Sequence, residues 1–343
     1  MDGESMVDLL PKSRGPGVIV AGVARSGTSW VAKGLSFAKG YTYYREPDNF
    51  DYVPGAREGF DWLYLPAAPG PATNDLGYRA HMERALTGRL ATAFVMREDP
   101  GPLFARLDPR WRILGEKIPL LWFRRPGRLV KLVRSNLALD WLAARFPEMR
   151  QVYVIRHPCG QYASWRRLGW TPHPERLLAS PELIRHHLAP HVERLRTASS
   201  FWERAGAWWG AINSVVYRQL HRCPQRFIVQ YEWLCQDPNA RFRELYRLLG
   251  LEWTAGADAF LTHANQGGDE HPYSLLRDAA QRPGRWKQEL TEAEVRECRL
   301  AAAPFDLPYY PDLQGDSPTA ARATSIQAPG ILGGPIRDGD TNG

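Results

Sequence analysis

Apolar residues along this chain fall into short runs that alternate with longer amphipathic stretches. Val18 to Val23 is an unbroken run of apolar and small residues, followed by polar positions to Ser29 and then by Trp30, Val31, Leu35 and Ala38 at helical spacing. A short apolar run closed by a turn signal reads as a strand buried on both faces, and the recurrence after it reads as a helix. The alternation repeats. Gly40–Glu46 (GYTYYRE) predicts a short aromatic strand, Ile113 and Leu114 in WRILGEKIP a strand running into a loop at Pro119, Val152–Ile155 a strand broken at Pro158, and Phe227–Val229 another. Helical spacing predicts helices over Ser135–Phe146, Phe201–Leu220 and Asn239–Leu249, the last closed by Gly250 as a C-terminal cap. Thr291 with Glu294 three residues on predicts a capping box. Strands alternating with helices imply an α/β fold with a parallel sheet flanked by helices. The stretches Val53–Pro109 and Gly169–Thr197 fit the alternation poorly and read as excursions over the sheet.

With 343 residues the chain is long enough for one large core. Residues 1–16 read as a flexible lead, 17–316 as a single domain, and 317–343, rich in Gly, Pro, Ser and Thr without a period, as a disordered tail. The acidic opening MDGESMVDLL and the short early apolar runs fall well below the roughly 20 residues of a membrane helix, so no membrane span is expected. Cys159, Cys223, Cys235 and Cys298 are too widely spread for a zinc knuckle or a redox pair and read as reduced thiols of a cytoplasmic protein.

The formal charge of +7 points to an anionic ligand. The arginines are scattered among strand ends, with no single basic run interleaved with aromatics, so nucleic acid is not the expected partner. Lysine is scarce, 6 residues against 38 arginines, which gives weight to any lysine inside a motif.

The junction VIVAGVARSGTSW turns backbone N–H groups and the positive end of a helix dipole onto one spot, where an anion is stabilised. Gly22 and Gly27 have the spacing of a triphosphate loop, but Thr28 stands where GxxxxGK[ST] requires lysine. Ligands of open parallel sheets bind outside the carboxyl ends of the strands. Four predicted strands end there in charge: Arg25, Glu46, Glu116 with Lys117, and Arg156.

These residues resemble the sulfotransferases that use 3′-phosphoadenosine 5′-phosphosulfate (PAPS), whose fold is α/β and like that of phosphate-loop NTPases. ARSGTSW is similar to the family's PKSGTxW and PRSGT loops. The resemblance puts Arg25 on the 5′-phosphosulfate and wraps it with Ser26, Gly27, Thr28, Ser29 and Trp30. Arg156 ending a strand, with Ser164 eight residues later, looks like the family's 3′-phosphate site, although His157 stands where most relatives have Asp. Tyr231 in QYEWL resembles the tyrosine on the adenine side. RWKQELT resembles a late WKxxxT segment, but the upstream Arg-Lys of cytosolic relatives is replaced by Ala279 and Ala280, so Arg277, Arg282 or Arg285 is left to reach the 3′-phosphate. A cofactor role for Lys287 stands beside that of a surface lysine.

The resemblance implies sulfonate transfer to a hydroxyl of a small-molecule or carbohydrate acceptor, with adenosine 3′,5′-bisphosphate as product. Such a reaction needs a base, cations for the transferring group and a leaving group held in line. The cations implied are Arg25 and Lys117, the latter in EKIP. Two carboxylates fit as base: Glu46 in YYREPDNF is preferred, and Glu116 in GEKIP is the alternative. No metal is expected: Ser29 could hold magnesium in a triphosphate loop, but no strand ends in the Asp that would complete that site. His173, His186, His187 and His191 read as solvated surface rather than an acceptor lid. The rival classes are a phosphate-loop kinase or NTPase, opposed by Thr28, and a basic nucleic-acid-binding module.

Overall fold

The computed structural model describes residues 17–49, 63–68, 76–87, 127–220, 225–266, 283–313 and 331–332. The predicted strand at Ile113 and Leu114, together with Glu116, Lys117, Arg277 and Arg282, lies outside the described residues.

The first apolar run forms β1 (Gly17–Ala21), and the helix after it is α1 (Thr28–Leu35). There follow β2 (Tyr41–Arg45), α2 (Leu76–Leu86), β3 (Gly127–Leu132), α3 (Leu139–Arg145), β4 (Met149–Ile155) and α4 (Pro158–Arg167). The second half contributes α5 (Phe201–Leu220), β5 (Arg226–Gln230), α6 (Tyr231–Gln236), α7 (Pro238–Leu248) and α8 (Ala255–Gln266). Last come α9 (Trp286–Glu289), α10 (Glu292–Ala302) and the two-residue β6 (Ile331–Leu332).

The strands form one sheet in the order β2-β3-β1-β4-β5-β6, every neighbouring pair parallel. β1 is central, so the loop leaving it opens where the chain's crossovers change direction, the usual ligand position of such sheets. Side chains alternate between two apolar layers, as period-two strands require. Val18, Val20, Val152 and Val154 face α1, α7 and α8, packing with Phe242, Tyr246 and Leu261. Ile19, Ala21, Tyr153 and Ile155 face α3, α4, α5 and α10, packing with Trp141, Tyr162, Trp208 and Trp209. A closely fitted contact joins α5 to α10: a Cβ on Gly206 would lie 2.2 Å from the carbonyl oxygen of Cys298.

Several expectations meet the structure with differences. β3 was not among the strands the pattern predicts: Arg128 and Lys131 interrupt GRLVKL, yet it lies between β2 and β1 with Lys131 opposite Arg45 and Val20. The helix predicted from Ser135 opens as a 3-10 turn, Asn136–Ala138, before α3. Gly250 has φ +57, fitting its place as helix cap, and Thr291 with Glu294 forms the capping box. Ile331–Leu332, inside the stretch expected as a tail, pairs with Ile228 and Val229 of β5. The excursion Gly169–Thr197 is anchored by buried Leu177, Leu183, Leu188 and Leu195. Of its histidines, His186 is exposed as the pattern predicts, while His173, His187 and His191 are partly buried. His186 Nδ1 and His187 Nε2 both lie against the Tyr64 hydroxyl, at 2.9 and 3.0 Å, and burial with nearby Arg218 and His186 lowers the His187 pKa to about 4.

Candidate active site

The loop between β1 and α1 is built around backbone geometry that few residues tolerate. Gly27 has φ +105, and a Cβ there would lie 2.4 Å from the Tyr231 ring, so both its conformation and its contact exclude a side chain. Among the described residues only Arg25, Glu46 and Asp306 combine positive φ with a side chain, at 70°, 49° and 47°. Such conformations cost on the order of 1–3 kcal/mol and persist where the surroundings enforce them. Two of the three are residues the sequence assigns to chemistry.

The loop is held against α4. Gln161 Nε2 and Trp165 Nε1 both donate to the Ala24 carbonyl, at 3.1 and 2.9 Å. Arg25 Nε donates to Ser164 Oγ at 2.9 Å, and Arg156 Nη1 donates to the Arg25 carbonyl at 3.3 Å. Arg25, Arg156 and Ser164, which sequence reasoning assigns to opposite ends of one nucleotide, therefore share a single cleft. Arg167 and Arg285 also line it, both paired with Glu289. Tyr231 is buried beneath the Arg156 guanidinium, 4.7 Å from ring centroid to Cζ. Trp30 packs inward on Tyr231 and Phe242.

Two polar atoms suit this region to an anion, one in the cleft and one in the loop between β1 and α1. Ser26 Oγ and Arg156 Nε are buried with no hydrogen-bond partner among the described residues, and buried polar atoms in native proteins are otherwise nearly always satisfied. Together with the N–H groups opening α1, they form the donor set a phosphate or sulfate requires.

His157 joins the cleft to the segment after α10 that carries Asp312. Its Nδ1 accepts the Cys159 N–H at 3.2 Å and so caps α4, while Nε2 lies 3.1 Å from Asp312 Oδ2. Its ring stacks on Trp286, with centroids 4.6 Å apart and planes 4° from parallel. This places α9 and Arg285 beside Arg156. Lys287 lies 6.0 Å from the Trp286 ring and is not among the residues lining the cleft.

Beside the loop lies a group that sequence reasoning half anticipated. Glu46, at the end of β2, is 8% exposed and meets Lys131, 2% exposed, with Nζ 2.5 Å from Oε1. The same Nζ donates to Ser29 Oγ at 2.6 Å, so one ammonium bridges the phosphate loop and the carboxylate. Burial alone would raise the Glu46 pKa. The charge and hydrogen bond of Lys131, with Asn49 and Arg45, outweigh it and hold the carboxyl below its usual value. Lys131 escaped the sequence reading, although a lysine inside RLVKLV, in a chain with so few, is itself a signal.

The turn after β2 is stitched to the loop after β3. Asp48, 1% exposed, accepts the N–H groups of Val133 at 3.1 Å, Arg134 at 2.7 Å and Ser135 at 2.9 Å, and the Ser135 hydroxyl at 3.0 Å. The two strand ends that present Glu46 and Lys131 are thereby fixed to each other. Among the described residues, no cluster of three or more His, Cys, Asp or Glu is arranged to hold a metal ion, and no helix is long and apolar enough to cross a membrane.

Residues 16–255 match the sequence profile of the sulfotransferase family. Over 80 residues the chain is 35% identical to carbohydrate sulfotransferase 7 of Mus musculus and 32% identical to that of Rattus norvegicus. Each match covers 22% of this chain and 16% of the relative, so the chain matches about a sixth of the length of these proteins. Among solved structures, the sulfotransferase domain of the Synechococcus PCC 7002 olefin synthase aligns with TM-score 0.42 and 15% identity, over 87% of this chain and 98% of that one. A Mycobacterium avium sulfotransferase aligns with TM-score 0.39 and 16% identity, over 81% and 77%.

Proposed function

The chain belongs to the sulfotransferase family, and from that premise we propose that it moves a sulfonate group from PAPS to a hydroxyl of a small-molecule or carbohydrate acceptor. The observation that carries this reading is the Lys131 ammonium, which touches both Ser29 of the phosphate loop and the Glu46 carboxylate. A cation and a base at hydrogen-bonding distance, next to an anion cradle, are what sulfonate transfer to a hydroxyl needs.

The donor supplies an activated sulfonate on a phosphate leaving group. Ser26, Gly27, Thr28, Ser29 and Arg25 would hold its 5′ end, and Arg156 and Ser164 its 3′-phosphate, with Arg285 at the edge of the same cleft. Glu46 would accept the acceptor's hydroxyl proton, and Lys131 with Arg25 would stabilise charge on the transferring group. Lys131 takes here the part that the sequence reading gives to Lys117. The partial likeness to carbohydrate sulfotransferases favours a sugar hydroxyl as acceptor.

Glu46→Gln tests the assignment: transfer, followed as sulfonate mass gained by compounds of a metabolite extract incubated with PAPS, is expected to fall to background. Binding of adenosine 3′,5′-bisphosphate is expected to persist in calorimetry. Near-normal turnover in that variant, together with its loss in Glu116→Gln, would move the base to Glu116. ATP hydrolysis without sulfonate transfer would replace the reading with the kinase class.

A further inference from the structure

The two oxygens of Glu46 are held by different residues. Oε1 is held by Lys131, and Oε2 accepts from Asn49 Nδ2 at 2.7 Å. Asn49 is 6% exposed, and its own N–H donates to the Glu46 carbonyl at 3.0 Å, so main chain and side chain close the same turn. His81 Nε2 lies 2.6 Å from the Pro47 carbonyl, and Asp48 ties the turn to the backbone after β3. A carboxylate held at one oxygen can rotate about its last torsion, which has a broad energy well. A second donor on the other oxygen removes that freedom.

We propose that Asn49 is a positioning residue for the transfer reaction: its amide fixes the plane of the Glu46 carboxylate, keeps Oε1 on Lys131 and leaves the remaining lone pair of Oε2 to take the acceptor's proton. This rests on the reading of Glu46 as the base. In the step, the acceptor O–H bond breaks and its proton passes to Glu46 Oε2. The acceptor oxygen forms the new bond to sulfur, and the bond from sulfur to the 5′-phosphate oxygen breaks, its electron pair leaving on that oxygen. Lys131 holds Oε1 while also donating to Ser29, so the grip on Oε2 comes from Asn49. The charged groups facing Glu46 among the described residues are Lys131 from β3, Arg45 of β2 with Nε 4.0 Å from Oε1, and Asp48 in the turn. Asn49 is the neutral donor among them, so replacing it changes hydrogen bonding without changing charge.

The test uses the full chain labelled with [δ-13C]glutamate, with the Glu46 signal assigned by its loss in Glu46→Gln. Asn49→Leu, close in shape, is expected to raise the Glu46 titration midpoint by about one pH unit, a tenfold change in proton affinity for one lost charge-assisted hydrogen bond. It is also expected to lower kcat by at least about tenfold with the KM for PAPS unchanged, and Asn49→Ser, which keeps a short donor, should recover part of both. If Asn49→Leu does not fold, Asn49→Ser and Asn49→Ala carry the measurement. A folded variant whose Glu46 titrates as in the wild type overturns the proposal while leaving Glu46 as base. A shifted midpoint alongside a Glu46→Gln variant that still turns over removes the base assignment, and this proposal with it.

Discussion

At the scale of single residues, Lys131 stands out as a buried ammonium that joins two different parts of the site, Ser29 at the start of α1 and Glu46 after β2. Replacing it by Met would leave Glu46 buried without its nearest counter-charge, a change that typically costs about 3–5 kcal/mol. The sign of the pH dependence follows from the lowered Glu46 pKa. In the wild type the stabilisation from this pair is present above the unfolded-state pKa of glutamate and is lost as pH falls through the lower folded-state value. In Lys131→Met the desolvated carboxyl titrates above its ordinary value, and its penalty disappears on protonation. The gap in melting temperature between wild type and Lys131→Met is therefore expected to be widest near pH 7 and to narrow toward about pH 4, as read by thermal unfolding. Transfer should fall by about 10²-fold or more, as when one preorganised donor to developing charge is removed.

At the scale of elements, local patterns were readable and long-range ones were not. The strand, loop and helix from β1 to α1 lie within one stretch of chain, and so do Arg156, just after β4, and Ser164 on α4. The first reads as an anion site from its strand, loop and helix, and the second from its resemblance to the family's 3′-phosphate motif. β3 was hidden because Arg128 and Lys131 break its apolar alternation; what makes a lysine acceptable there is Glu46, 85 positions earlier in the chain. The grip of Asp48 on Val133, Arg134 and Ser135 spans a comparable separation, so no period or motif announces it. Elements also meet more closely than a pattern can reveal. With 2.2 Å between a Gly206 Cβ and the Cys298 carbonyl, Gly206→Ala is expected to force α10 away from α5 and lower stability by about 1–3 kcal/mol, measured by denaturant unfolding.

At the scale of the whole molecule, the +7 charge has a local expression in the cleft lined by Arg25, Arg156, Arg167 and Arg285. Adenosine 3′,5′-bisphosphate at about 100 times its Kd is expected to stabilise the fold by roughly 2.7 kcal/mol, visible as a rise in melting temperature. Arg156→Ala should abolish most of that rise, added salt should diminish it, and adenosine 5′-monophosphate should produce less of it. A rise of equal size with the monophosphate would show that the 3′ end of the ligand is not read.

The strands are all parallel, so the residues of the candidate site gather on one rim of the sheet, while the chain enters β1 at Gly17 on the other. Five residues of strand separate the two rims, about 17 Å. A surface tether joined directly to Gly17 would therefore start from the rim opposite the candidate site, leaving that rim turned away from the support.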